Sequence, residues 1–371
     1  PAPLLKDNTM SDFIDDLCKQ VEQAARNGTQ LRPVGGATKN FYGGPLQGTE
    51  VDMRQWAGIV EYEPTELVIT VKPGTPLSEV EAALAAEKQE LAFEPPRLRA
   101  TGTSGGTIGG AIASGLAGPA RLSRGSVKDY VLGCTLLDGK GQLLHFGGVV
   151  MKNVAGYDVA RVIPGSMGTL GIATELSIKV LPVALAEATL QFELDTNRAI
   201  EQSNNWLSKP LPISATFFEN GKLTVRLRGA SAAVQAALKN MGGQEMEQQA
   251  ALAFWNQVRD QQHEFFTAEG DLWRLAVPPS TVDLALKGHS VHEWASGLRW
   301  FRADAGVNEE QIRGAAKRVG GHATLYRSSN PAARVNAFQQ PDAVMLKLQR
   351  RLKEQFDPAG IFSINRLSPI L

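Results

Sequence analysis

Apolar positions recur at helical spacing between Ser11 and Asn27, where Phe13, Ile14, Leu17, Val21 and Ala24 share a face, Ser11 is a plausible N-cap and Gly28 a stop. Short extended runs follow at Leu31–Val34, 51–53, 59–63 and 67–71, then a helix capped by Thr75-Pro76 and ending at Ala86, and a strand at 91–93. Tyr130–Leu137 and Gln142–Phe146 flank Asp138-Gly139-Lys140-Gly141, a strong hairpin signal, and residues 172–180 alternate cleanly. Up to Pro182 strands outnumber helices and recur at short intervals, so this part is α+β rather than regular βαβ. From Ala188 the order becomes strand 189–194, helix 198–207, strands 213–218 and 223–227, and helix 231–241, which suggests a ferredoxin-like layer. A helix at 250–263, strands at 272–277 and 294–301, a helix at 309–319, a strand at 322–326 and a last helix at 343–356 complete the pattern. The expected division is therefore 1–182, 183–330 and 331–371, all of it α+β, with neither internal repeats nor low-complexity tracts.

Composition narrows the function classes. The 371 residues are 43% hydrophobic and 20% charged, ordinary globular usage that fits neither disorder nor coiled coil. Lys+Arg and Asp+Glu stand at 38 each, so no global field draws in nucleic acid or an anionic membrane. Two cysteines, Cys18 and Cys134, cannot ligate a four-thiolate cluster, so any iron-sulfur centre belongs to a partner. No apolar run reaches the length of a spanning helix and the first residues lack signal-peptide features, which gives a cytoplasmic expectation.

The glycines carry the chemistry. Seven of the 18 residues from Thr101 to Gly118 are Gly, too dense for a regular element and too interleaved with Ala, Ile and Thr for a linker, as a backbone pressed against a flat ligand requires. Val34-Gly35-Gly36-Ala37-Thr38-Lys39-Asn40 leaves a strand with two adjacent glycines and can aim backbone N–H groups at a pyrophosphate, with Lys39 adding charge; a plain strand-to-loop turn is the competing account. Gly165 to Ile172 again sets glycines before a strand. With neither G-x-G-x-x-G nor a Walker sequence, three such segments argue for an extended cofactor held by backbone in a non-Rossmann setting.

Four ordered segments carry a resemblance: Val34 to Asn40; Pro95-Pro96 through Gly118, including Thr107-Ile108-Gly109-Gly110-Ala111-Ile112-Ala113; Gly125 to Gly133; and Lys152 through Ile172. They resemble the PCMH-type FAD-binding domain of the vanillyl-alcohol oxidase superfamily. More narrowly, Glu94-Pro95-Pro96, Gly115 to Pro119, Val150 to Asp158 and Gly320 to Thr324 are similar to the FAD-binding E subunits of bacterial glycolate oxidase. The resemblance implies a PCMH-type domain of two α+β subdomains over 1–182, a ferredoxin-like α+β cap over 183–330, and a C-terminal helix and tail packing back on the flavin domain. It implies FAD, a larger catalytic flavoprotein subunit and an iron-sulfur subunit as partners, a small 2-hydroxy acid as the substrate of the complex, and membrane contact only through those partners. Glycolate would become glyoxylate as electrons leave toward the respiratory chain. By position, Val34 through Asn40 would hold the pyrophosphate, Thr107, Gly109, Gly110, Ala113, Ser114 and Gly118 would line the flavin with Pro95 beside them, and Gly171 and Ile172 would meet the nucleotide end.

Departures from the family pattern matter. Ala37-Thr38-Lys39 stands where covalent members place a His, so dissociable FAD is expected. The H-x-G-D-G-N-x-H metal motif of the catalytic flavoproteins is absent, no metal site is expected, and Asp357-Pro358-Ala359-Gly360 does not continue into N-P-G. For direct chemistry the candidates are His322, as an imidazole facing the flavin, and Arg299, as a carboxylate clamp; each also has a purely structural reading. Lys152 and Tyr157 are placed near the cofactor or in an ordinary loop. Two alternatives to an accessory FAD subunit stay open: a self-sufficient FAD-dependent 2-hydroxy-acid dehydrogenase, and a non-catalytic structural subunit.

Overall fold

The computed structural model describes residues 8–98, 105–148 and 158–369. Helix α1 (Asn8–Asn27) starts ahead of Ser11, which therefore lies within it rather than capping it. It ends at Gly28 with φ +67°, where the Thr29 N–H returns to the Ala24 carbonyl at 2.9 Å, a left-handed cap that a residue with Cβ would strain. Strands β1 (Leu31–Val34) and β2 (Thr49–Asp52) pair in parallel. Then come β3 (Ile59–Glu63), β4 (Val68–Val71), α2 (Leu77–Ala86), β5 (Gln89–Glu90), α3 (Ile108–Ser114), α4 (Arg121–Arg124), β6 (Val131–Leu137), β7 (Leu143–Gly147), β8 (Ile172–Lys179) and β9 (Leu181–Pro182). An antiparallel sheet of five strands, ordered β3-β4-β8-β6-β7, backs α2 and α3. Its core joins Ile69, Leu136 and Leu176 of the sheet to Val80 and Leu84 of α2 and Ile108 and Ile112 of α3. The expected hairpin forms: Asp138 Oδ1 accepts the N–H groups of Lys140 and Gln142, which closes the turn between β6 and β7.

The second half runs β10 (Ala186–Glu193), α5 (Thr196–Leu207), β11 (Ile213–Glu219), β12 (Lys222–Gly229), α6 (Ser231–Met241), β13 (Gln244–Glu245), α7 (Gln248–Arg259), α8 (Glu264–Thr267), β14 (Leu272–Ala276), β15 (Gly288–Glu293), β16 (Leu298–Ala303), α9 (Glu309–Arg318), β17 (His322–Arg327) and α10 (Ala343–Phe356). Its eight strands are ordered β13-β10-β12-β11-β15-β16-β14-β17. The first four reproduce the ferredoxin-like order. Helices α5, α6 and α9 pack on one face through Trp206, Val234 and Ile312. The other face carries an aromatic cluster that reaches into the first half. Tyr42 meets Tyr326 at 5.1 Å between ring centroids, Tyr326 meets Trp300 at 4.7 Å, and Trp300 meets Phe266 at 5.4 Å.

Local expectations fail at three further places, each for a physical reason. Residues 108–114 are helical despite their glycines, because Thr107 caps the helix by accepting from the Gly110 N–H, and a Cβ on Gly109 would lie 2.5 Å from Pro73 Cβ as the turn presses onto the neighbouring loop. Residues 91–93 form a turn, and the strand is the two-residue β5 just before it. The strand expected from 294 begins at Leu298 instead. Trp294, Ala295 and Ser296 have φ of 54°, 51° and 70°, a left-handed reversal that closes a hairpin with the unanticipated β15.

The chain returns to its start. Phe362 bridges Leu31 in parallel, with Leu31 N–H to Ile361 O at 2.7 Å and Ser363 N–H to Leu31 O at 2.9 Å. Buried Lys353 ties this tail down by donating to Thr169 O at 2.6 Å, Asp357 Oδ2 at 2.7 Å and Phe362 O at 2.8 Å, while Asp357 accepts the N–H groups of Ile361 and Phe362. Substituting Lys353→Met strands the buried Asp357 carboxylate without its cation. It should lower the unfolding free energy by about 3–5 kcal/mol in urea titration. The exposed Lys347→Met on the same helix should change it by less than about 0.5 kcal/mol.

Candidate functional site

The loop after β1 and the segment before α3 meet backbone to backbone. A Cβ on Gly35 would fall 2.2 Å from Thr107 Oγ1, and one on Gly36 would fall 2.1 Å from the Gly105 carbonyl, so only glycine permits the approach. Two confluent clefts open along this seam and share walls at Val34, Gly35, Thr107, Gly110, Ala113 and Met167.

One cleft is cationic. Lys39 lines it with Thr38 Oγ1 at 3.5 Å as its hydrogen-bond neighbour, and burial pushes its ammonium down to about 8. Arg32 and Arg366 complete the wall. Arg32 pairs with Glu50 but leaves its buried Nε without a partner. Arg366 donates to the Tyr42 and Gly44 carbonyls, and burial, with Arg334 and Arg32 nearby, lowers it to about 10. Positive charge held out of water with a single ion-paired acid calls for an anion. The adjoining cleft is apolar, walled by Pro33, Met53, Pro73, Ile163, Ile172 and Leu176. At the junction, a Cβ on Gly110 would meet only Thr107 Oγ1 at 3.4 Å and would otherwise project into open cleft. A flat group joined to a diphosphate fits this combination.

Most of the residues expected at a cofactor gather here. Val34, Gly35, Gly36, Ala37, Thr38, Lys39 and Asn40 line the cationic cleft with Ser114, while Gly109, Gly171 and Ile172 line the apolar one and Thr107, Gly110 and Ala113 line both. Two do not. Pro95 lies in a separate groove with Glu94, Arg226 and Arg228, and a Cβ on Gly118 would contact the Glu94 carbonyl and the Arg259 side chain, away from both clefts. Residues 99–104 and 149–157, with Lys152, Tyr157 and most of the Val150–Asp158 run, lie outside the described residues. The cationic wall at Arg32 and Arg366 gave no sequence signal beyond its charge, because Arg366 joins Arg32 there only through the pairing of the tail with β1.

A third space, a cavity of about 760 Å³, opens between the aromatic face of the large sheet and the segment leading into α10. His322 and Thr324 of β17 and Arg274 of β14 line it, with Tyr42 and Gly165 from the first half. Arg299, expected as a carboxylate clamp, is not there. Its guanidinium is buried on the opposite face of the sheet and spent on the carbonyls of Ser296, Thr281 and Val282. The cavity's guanidinium is Arg274, which the sequence reading missed. It stacks 5.2 Å from the Trp294 ring centroid and 5.9 Å from that of Trp300, and forms no ion pair among the described residues. Burial and the Arg274 charge both lower the His322 pKa, so its imidazole is neutral near pH 7. Among the described residues no cluster of His, Cys, Asp and Glu could hold a metal, and no helix is long and apolar enough to cross a membrane.

Comparison with known proteins agrees with this geometry. Residues 13–147 match the FAD binding domain family. The chain is 40% identical to glycolate oxidase subunit GlcE of Escherichia coli (strain K12), over 96% of its own length and 97% of that protein. It is 31% identical to glycolate oxidase subunit GlcD of Bacillus subtilis (strain 168), over 57% of this chain and 45% of that protein. Two solved structures share its fold: an alkyldihydroxyacetonephosphate synthase, with TM-score 0.64 and 15% identity over 95% of this chain and 75% of that one, and the xylooligosaccharide oxidase of Myceliophthora thermophila C1, with TM-score 0.64 and 14% identity over 96% and 90%. An FAD binding domain over the clefted half, and 40% identity sustained along nearly the whole length, establish that this chain belongs to the glycolate oxidase subunit GlcE family.

Proposed function

We propose that this chain is the FAD-binding subunit of a glycolate-oxidising complex, supporting conversion of glycolate to glyoxylate while electrons pass on through partner subunits, a catalytic flavoprotein and an iron-sulfur protein. The observation that carries the reading is the pair of confluent clefts, one cationic and one apolar, joined at Gly110. Residues 1–182 act as the flavin domain, 183–330 as its cap and 331–371 as a strap. When bound, FAD supplies a two-electron acceptor that can also release electrons singly. The chain's own residues do the rest. Lys39, Arg32 and Arg366 neutralise the diphosphate, the backbone of residues 34–40 approaches it closely, and Gly109, Gly110 and Ala113 leave room for a flat ring. Ala37-Thr38-Lys39 stands where covalent members place a histidine, so the flavin dissociates.

Four outcomes test this. Gly110→Val places a branched side chain toward the cleft from a Cβ position that meets only Thr107 Oγ1, at 3.4 Å. The purified variant should keep its melting temperature and lose bound FAD, read as absorbance near 450 nm and as flavin released by acid. Lys39→Met should weaken FAD about tenfold, about 1.4 kcal/mol for one charge-assisted contact. The sign of the pH effect follows from Lys39. Below about pH 8 the free protein already carries its proton, whereas above it the free form loses the proton that the diphosphate complex retains. FAD affinity should therefore fall as pH rises through 8 in the unaltered chain and stay flat in Lys39→Met, by equilibrium titration. Finally, under anaerobic conditions the flavin of the isolated chain should stay oxidised with glycolate and bleach once the partner subunits are added. Bleaching without partners would instead mark a dehydrogenase acting alone, and FAD-free chain within an active complex would mark a structural subunit.

A further inference from the structure

Of the 14 residues of α10 only Lys353 and Phe356 are buried, both in its last turn, so the packing that normally holds a helix in place is missing from its first two turns. That part of the helix is nonetheless apolar. Val344 is 72% exposed, Leu348 52% and Met345 47%, and Val344, Leu348 and Leu352 follow one another at i, i+4 and i+8 along one flank. Beside them Lys347, Arg350 and Arg351 form a basic row, all three exposed and none ion-paired among the described residues, although Glu354 stands one turn beyond Arg350. Lys347 and Arg351 are themselves one turn apart, where like charges repel. A helix that exposes three large apolar side chains and sets like charges side by side is left unfinished by its own chain. Its inward flank, in contrast, is fixed to the cofactor region. Lys353 donates to Thr169 O at 2.6 Å, between the cleft residues Gly168 and Gly171, and Gln349 lines the cavity that reaches Gly165.

Charge narrows what covers this ridge. A second copy meeting it face to face would oppose Lys347, Arg350 and Arg351 with the same three cations. The segments of this chain outside the described residues carry Lys6, Arg99 and Lys152 against Asp7 alone, so none of them complements it. An anionic lipid surface would meet the cations, but the exposed apolar row is aliphatic and holds none of the Trp or Phe that seat an interfacial helix. A protein groove, apolar along its floor and edged by carboxylates, satisfies both rows. We infer that the exposed flank of α10 docks the electron-accepting iron-sulfur subunit of the complex through such a groove. The inference deepens the proposed function and rests on it for the existence of that subunit. The choice among subunits comes from the place of the ridge, because α10 is tied through Thr169 to the wall of the apolar cleft and a subunit seated on it stands beside the cofactor region from which electrons must leave.

The full chain, with its FAD content quantified beforehand, would be titrated separately with the iron-sulfur subunit and with the catalytic flavoprotein subunit by analytical ultracentrifugation at two ionic strengths. Saturable association with the iron-sulfur subunit is expected. It should weaken about tenfold or more in the double variant Val344→Gln, Leu348→Gln and again in Lys347→Glu, Arg351→Glu. FAD content and melting temperature should stay unchanged in both, since glutamine and glutamate are good helix formers and the positions are exposed. Added salt should weaken association of the unaltered chain and matter less for the charge-reversed variant. Association that survives both variants overturns the inference and leaves the complex standing. Loss confined to the flavoprotein subunit overturns it as well, as does self-association of the chain that the variants abolish. Cosedimentation with phosphatidylserine vesicles that the variants abolish while subunit binding persists overturns it in favour of a lipid surface. If the unaltered chain meets neither subunit, the inference falls together with the complex, whereas FAD-free chain that still docks through α10 upholds the inference and fails the flavin reading alone.

Discussion

The two halves of the molecule meet at a seam that one carboxylate ties. Glu94, in the Glu-Pro-Pro turn at φ +46°, accepts the Ala120 N–H at 2.9 Å through Oε2 and the Arg226 guanidinium at 2.7 Å through Oε1, with Arg228 at 3.5 Å. Arg226 and Arg228 belong to β12 of the large sheet, and Ala120 ends the stretch that leaves α3. One side chain thus fixes the large sheet, the Pro-Pro turn and the exit of the glycine-rich segment relative to one another. Two neighbouring bonds close the same seam: Trp294 Nε1 donates to Gly118 O at 3.1 Å and Ser123 Oγ to Ser214 O at 2.9 Å. Breaking a buried pair of this kind costs far more than forming it gains. Its value here is positional, because the clefts are built from the first half and the tail, while the Arg274 cavity takes its lining from both halves.

The clefts depend on a different economy. Their walls bring backbone to backbone, which leaves little room for side chains to supply charge at the point of contact, so the charge comes from outside the seam. Arg366 and Arg334 gather the carbonyls of residues 40–44, Arg334 reaching Asn40 O at 2.6 Å, and this fixes the loop that carries Lys39. A cationic site built from such desolvated groups costs stability while empty and recovers it on meeting a diphosphate.

Much of this was legible in the sequence, and the reasons differ by element. The β6–β7 hairpin and the ferredoxin-like order could be read because turn chemistry and periodicity are local. Residues 108–114 misled because glycine density signals close approach equally well in a helix and in a loop. What decides the matter is Thr107 as a cap and Pro73 as a neighbour, and the second is a tertiary fact. Arg299 and Arg274 show the limit most clearly. Arg274 faces Trp300 across the strands and Arg299 faces Leu275, so the two arginines leave opposite faces of one sheet. That parity depends on where β16 begins. An expected start at 294 hid the left-handed turn at 294–296, and nothing in the local pattern marked which arginine would meet the cavity.

The pairing of Leu31 with Phe362 reaches beyond packing. The strand that launches the cofactor loop is made well before the segment that bridges to it in parallel, because nearly the whole of the two sheets lies between Leu31 and Phe362 in sequence. Contacts so distant in sequence form late and slowly. Until Lys353, Asp357 and Arg366 have emerged, the cationic wall lacks a side and β1 lacks an edge. Loading of the cofactor therefore waits on the docking of this strap, and an occupied cleft reports that the segment from Lys353 to Arg366 is in place.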